Sequence, residues 1–175
     1  NREVIFVAGV HGVGKGTLCR KLVSIVDLVH LSASDIIRRR KELDKNKRVV
    51  NAVNNQEILV QELNAYAQHK KLLLDGHFCL LDTTGNIIKL PIELYERLNI
   101  SKIILLKSEA NTIYQQLLIR DSDESGLNVQ NIIDIQEAEI QHAYHVAKNL
   151  NIPILDINLA SKIKNDEIQK VLDFI

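Results

Sequence analysis

The sequence predicts a three-layer α/β fold, with a mostly parallel sheet of about five strands and helices on both faces. Three observations carry this. Short apolar runs such as Val4–Ala8, Leu72–Leu74 and Lys102–Leu106 have the length and composition of buried strands. Segments with helical apolar spacing separate them. The first apolar run passes into a glycine-rich loop, Gly9-Val10-His11-Gly12-Val13-Gly14-Lys15-Gly16-Thr17, and then into a helical pattern. At 175 residues the chain is read as a single domain (1–175), large enough to bury a core without disulfides or metal.

In chain order, Val4–Ala8 is the first strand and a helix runs from Lys15 to about Val26. Leu28–Leu31 reads as the second strand. Ser32-Ala33-Ser34-Asp35 offers capping oxygens to a helix that begins at Ile36 and runs into Arg38-Arg39-Arg40-Lys41. The polar stretch Asp44–Asn51 reads as a loop. Ile58, Leu59, Leu63 and Ala67 form the stripe of a helix from Asn54 or Asn55 to about His69. Leu72–Gly76 is the third strand. Phe78–Leu81 and Ile87–Leu90 flank Asp82-Thr83-Thr84-Gly85-Asn86, which predicts a β-hairpin insert. Pro91 suits the first turn of a helix through about Leu98. Lys102–Leu106 is the fourth strand, Glu109–Arg120 a helix, and Asp121–Gly126 a break. A long helix follows from Val129 to Asn149, then a strand, Pro153–Ile157, and a closing helix, Asp166–Phe174.

The glycine loop carries the most specific chemistry. Strand, glycine loop and helix is the context of the phosphate-binding P-loop. Glycines let successive N–H groups converge on phosphate oxygens, and the helix N-terminus adds partial positive charge. Gly12, Val13, Gly14, Lys15, Gly16 and Thr17 are therefore the expected nucleotide cradle, with Lys15 reaching the outer phosphates. The general pattern places a magnesium-binding hydroxyl directly after the lysine. Here Gly16 intervenes and Thr17 follows. That G-x-x-G-x-G-K-G-T form resembles the loop of nucleoside monophosphate kinases, adenylate kinases in particular.

Two further segments extend the resemblance. Leu31–Arg38 looks like the adenylate-kinase segment that opens the acceptor-binding helix, and Asp75-Gly76-His77 looks like the D-x-H segment of the atypical adenylate kinases (the archaeal and eukaryotic nuclear type). Asn111–Leu117 with Arg120 is similar to that group's helix leading into a short lid. The resemblance implies a P-loop NTPase fold of strand order 2-3-1-4-5, an acceptor-binding segment over about 32–60 and a lid over about 120–130. It implies ATP and Mg²⁺ as cofactors, with Thr17 and Asp75 holding the metal partly through water. Ser32, Asp35 and Arg38 would meet the acceptor, His77 would position water or acceptor, and Arg120 would contact the ATP base or the transferring phosphoryl group.

Each residue also has a plainer reading. Asp75 is a strand-end acid that caps a turn equally well, and His77 a structural turn histidine. Asp35 is a helix cap or an acceptor contact. Arg38 belongs to a solvated, basic helix end, and Arg120 can pair with Asp121 or Asp123. His11 stands where family members often carry proline and is not assigned a role. His142 and His145 lie three apart without a third ligand, so no zinc site is expected there. The large arginine-bearing lid and the adenine-reading glutamine segment of conventional adenylate kinases are absent.

Composition narrows the classes. Net charge is zero and no run approaches a membrane span, so neither a nucleic-acid nor a membrane partner is indicated. Aromatics are 4% with no Trp, which argues against base-stacking platforms. Cys19 and Cys79 have neither metal-ligand nor framework spacing and read as reduced core residues of a cytoplasmic protein; no signal peptide is evident. The expected function is ATP-dependent phosphoryl transfer to a small acceptor, a nucleoside monophosphate first. The alternatives are an ATPase working with a protein or ribonucleoprotein partner, a kinase of a non-nucleotide small molecule, and a nucleotide-binding module without turnover.

Overall fold

In the computed structural model, residues 2–47, 55–121 and 126–175 are described. The order is β1 (Glu3–Ala8), α1 (Lys15–Val23), β2 (Val29–Ser32), α2 (Ala33–Lys47), α3 (Asn55–Asn64), β3 (Lys71–Gly76), β4 (Cys79–Leu81), β5 (Ile87–Lys89), α4 (Ile92–Arg97), β6 (Ile100–Ser108), α5 (Ala110–Asp121), α6 (Val129–Leu150), β7 (Ile154–Leu159) and α7 (Asn165–Phe174). Five parallel strands form one sheet in the order β2-β3-β1-β6-β7, which is 2-3-1-4-5 when its own strands alone are numbered. The predicted hairpin is present as the antiparallel pair β4–β5, outside the main sheet.

The pleat divides the core in two. Val4, Phe6 and Ala8 of β1 point to one face, where Ile36 of α2, Leu63 of α3, Tyr95 of α4 and Val146 of α6 cover them. Ile5 and Val7 point to the other, under Leu18 and Leu22 of α1, Ile113 of α5 and Val171 of α7. All of these side chains are buried, which explains why the central strands read as unbroken apolar runs instead of alternating ones.

Element edges moved for local reasons. α1 stops at Val23, where the Ile25 amide bonds Leu22 O three residues back and tightens the last turn. α2 begins at Ala33, three residues before the expected start. Ser32 Oγ accepts the Asp35 amide at 3.5 Å, so Ser32 caps the helix and Asp35 lies in its first turn. α2 also continues to Lys47, through the start of the expected loop; Lys, Glu and Leu are strong helix formers, and Arg38–Glu42 is an i,i+4 pair. Residues 48–51 of that loop and Asn54 lie outside the described residues. α3 ends at Asn64, where Ala65, Tyr66 and Ala67 form successive tight turns in place of the expected last helical turn. None of the described helices is long and apolar enough to cross a membrane.

Candidate active site

The carboxyl ends of β1 and β3 open into a cleft of about 790 Å³ that runs past the first turn of α1. In an open parallel sheet this is where ligands sit. Gly12 is the point where glycine is required. Its φ is 86°, and a Cβ built on it would lie 2.8 Å from Leu117 Cγ and Cδ2, a buried side chain of α5. Gly12→Ala is expected to destabilise the protein by roughly 2–4 kcal/mol, the left-handed backbone and the overpacked leucine adding together. Chaotrope unfolding checks it.

Lys15 begins α1 and is only 8% exposed. Its Nζ donates to Gly9 O at 2.9 Å and Val10 O at 3.1 Å. Burial lowers its pKa to about 8, against the upward pull of Asp75 and Glu139. His77 Nδ1 donates to the same Gly9 O at 2.9 Å, which leaves Nε2 as the ring's acceptor. Burial, with the Lys15 charge beside it, drives the His77 pKa down to about 3, so the ring is neutral near pH 7. A ring this hard to protonate can orient a partner but is a weak proton acceptor.

Asp75, the penultimate residue of β3, is in register with Val7 of β1, the strand from which the glycine loop emerges. Its Oδ2 is hydrogen-bonded to His30 Nε2. Ser32, Ser34 and Asp35 line the cleft on the β2–α2 side, and Arg120 and Gln116 on the α5 side. The positive charge of Arg120 is felt at Lys15. Arg38 is not brought to the cleft. Its guanidinium is 61% exposed, at 3.1 Å from Asp35 and 3.8 Å from Glu42. Residues 122–125 of the expected lid lie outside the described residues. His142 Nε2 donates to Leu90 O at 2.6 Å, and its ring stacks on that of His145.

Four contributors were not singled out by sequence: Arg20 and Lys162 on the cleft wall, His30, and Glu139. Arg20 Nη2 reaches Thr17 Oγ1 at 3.3 Å. Glu139 is 1% exposed and takes the amides of Phe78 (2.8 and 3.0 Å) and Cys79 (2.7 Å). With Tyr95, whose hydroxyl donates to His77 O at 2.7 Å, it grips the turn that carries His77. The signal existed: Glu139 falls inside the Ile132-Ile135-His142-Ala143 stripe of α6, a charge at a core position.

Burial pushes Glu139 up to about 7, while the two amides and Lys15 pull it back. Because its folded pKa lies above the ordinary 4.5, its contribution to stability is largest below pH 4.5 and is lost as pH rises through about 7. Glu139→Gln is expected to cost about 1–3 kcal/mol, since an amide nitrogen turned toward two N–H donors leaves one unpaired. That variant should also lose the decline in stability between pH 4.5 and 7, as melting temperatures across that range would show.

A glycine cradle, a buried lysine at the head of the first helix and an acid at the neighbouring strand end define a P-loop nucleotide-binding protein. The chain belongs to the AAA domain family, which matches residues 8–136. It is similar to uridylate kinase of Saccharomyces cerevisiae, 29% identical over 168 residues, spanning 88% of this chain and 76% of that one. UMP-CMP kinase of Bos taurus is 33% identical over 90 residues, 42% of this chain and 46% of the relative. A candidate kinase from Chloroflexus aurantiacus shares the fold at 13% identity, with a TM-score of 0.56 over 99% of this chain and 95% of that chain. The protein is a P-loop kinase enzyme.

Proposed function

We propose that the protein transfers the γ-phosphoryl group of ATP to a nucleoside monophosphate. One observation carries the reading: the glycine cradle and the Ser32–Asp35 segment line a single cleft, and the strand that carries Asp75 lies between the strands that lead into them. ATP phosphates would lie on Gly12–Thr17 with Lys15 at the outer ones, and the acceptor on Ser32, Ser34 and Asp35. The donor set fits magnesium, a hydroxyl on Thr17 and a carboxylate on Asp75 that would hold the ion partly through water. When bound, Mg²⁺ neutralises charge on the β- and γ-phosphates. Arg120 stands where its charge would meet the transferring group or the base. His77 orients a water or acceptor through Nε2 and keeps Gly9 O in place.

The alignment with uridylate kinase supports a monophosphate acceptor and puts UMP and CMP in the first panel. Asp75-Gly76-His77 supports the atypical adenylate-kinase type and adds AMP. A short lid near 120–130, an acceptor segment over about 32–60, and a cytoplasmic location consistent with two free thiols complete the reading. ADP formation from Mg-ATP, with and without each monophosphate, is the test. Strong stimulation by one of them, with its diphosphate as product, is the expected result.

A second reading has its own observation. Arg38 is turned to Asp35 and Glu42, so the described acceptor wall carries hydroxyls and carboxylates. That wall suits an uncharged acceptor, or water in an ATPase that serves a protein or ribonucleoprotein partner. Phosphate release indifferent to every monophosphate would favour it.

A further inference from the structure

The pleat that aims Asp75 at α1 aims a second donor the same way. Leu31 and Leu74 point to the α6 face, so His30 and Asp75, one residue away on each strand, point to the α1 face. Cys19, one turn along α1 from Lys15, meets them from the helix side and is fully buried. Its sulfur, an imidazole nitrogen of His30 and a carboxylate oxygen of Asp75 all lie within 4.8 Å of one another. The side chains of His30 and Asp75 remain 20% and 13% exposed and line the cleft, which gives an ion a way in.

We propose that Cys19, His30 and Asp75 form a binding site for a thiophilic divalent cation of the zinc type, and that filling it takes Asp75 away from magnesium and stops phosphoryl transfer. The second half rests on the role given to Asp75 above; the first does not. The donors select the metal, because thiolate and imidazole suit zinc whereas magnesium requires oxygen. Zinc–sulfur bonds of about 2.3 Å and zinc–nitrogen or –oxygen bonds of about 2.0–2.1 Å place tetrahedral donors roughly 3.3–3.6 Å apart. The cluster reaches that spacing by small side-chain shifts, and a water from the cleft fills the fourth position.

The balance of charge and protons closes. The Cys19 thiol gives its proton to solvent, and the ion displaces the hydrogen between His30 and Asp75, His30 remaining neutral with its proton on Nδ1. One thiolate and one carboxylate then offset the dication, and one proton is released per ion. Without an ion, burial and the adjacent Asp75 charge push the thiol far above its ordinary range, against Lys15 and Arg20, so the sulfur stays protonated. One carboxylate thus faces two metals, and it cannot serve both.

The test is a Co²⁺ titration of nucleotide-free protein with reduced thiols and oxygen excluded, since a cobalt–thiolate bond reports itself by a near-ultraviolet charge-transfer band. One ion per chain with that band, retained in Cys79→Ser and lost in both Cys19→Ser and Cys19→Ala, is expected. His30→Ala should weaken cobalt at least about tenfold, the lower end of what even indirect partners of metal ligands cost. No band in the wild-type protein, or a band lost in Cys79→Ser instead, overturns the site. Low-micromolar free zinc should inhibit phosphoryl transfer, and Cys19→Ser should need at least about tenfold more zinc relative to its own uninhibited rate. Equal sensitivity overturns the inhibitory half. A protein that binds cobalt as described yet phosphorylates no acceptor refutes the proposed function and supports the metal site. Displacement of bound Mg-ATP by zinc then decides the inhibitory half, its absence overturning it.

Discussion

Lys15→Ala is expected to lower phosphoryl transfer by about 10³-fold or more while leaving the fold intact. The rate loss follows from removing the cation that would meet the outer phosphates, an effect worth about 10²–10³ for a single donor and more for a full charge. Stability should not fall with it. Burial already lowers the Lys15 pKa to about 8, so the folded protein holds this charge less readily than water does. Between pH 8 and 10.5 the unfolded chain binds the extra proton, and this group's contribution to stability rises with pH. The same pKa sets nucleotide affinity. Phosphates require the ammonium form, so the Kd for ATP should rise about tenfold per pH unit above 8. Calorimetric titration from pH 7 to 9.5 would show that slope in the wild type, and Lys15→Ala should lose it. A Kd that stays flat across the range would remove Lys15 from the nucleotide site.

Asp75→Asn should lower kcat by about 10²–10³ and raise the magnesium concentration needed for half-maximal rate. The substitution is nearly isosteric, and an asparagine oxygen can still meet His30 Nε2, so the loss is one of charge and not of packing. It has a second consequence. Asp75 is the strongest of the charges that hold the Lys15 pKa up, so removing it should shift the alkaline loss of ATP affinity to lower pH. The double variant Lys15→Ala/Asp75→Asn should therefore be less impaired than the product of the two single losses, because both act on one electrostatic unit. Steady-state kinetics over pH 6–9 with varied Mg²⁺ tests both statements. An Asp75→Asn enzyme with wild-type metal dependence would return Asp75 to the plainer role of a strand-end cap.

The parts legible in the sequence are those with local causes. Val4–Ala8 and Leu72–Gly76 are strands because both faces of the sheet are covered, and burial on both faces writes an unbroken apolar run. The glycine loop is legible because a left-handed φ at Gly12 and close approach to Leu117 admit no side chain. What sequence could not supply is adjacency. His30 and Asp75 are 45 positions apart, and they meet because β2 and β3 are neighbours with matching pleat. Glu139 grips Phe78 from 61 positions away. Arg38 is the opposite case, with contacts local to its own helix: it pairs with Asp35 and Glu42, one helical turn either side, in exposed contacts too weak to bar an acceptor, and it is not among the residues that line the cleft. The start of α2 turned on a single hydroxyl, Ser32, which a propensity window does not resolve.

The resting grip of Lys15 has a kinetic consequence. Its ammonium is lodged on Gly9 O and Val10 O, and each of those oxygens holds a second donor: His77 Nδ1 on the first and the Val13 amide on the second. When the ammonium leaves for a phosphate, neither oxygen is stranded. The loop therefore releases its cation without a step uphill in unmet hydrogen bonds, and capture of a nucleotide can proceed at the pace of diffusion and cleft access. In Lys15→Ala the same two donors should keep the loop in its resting shape, a lock whose tumblers stay set after the key has been cut away.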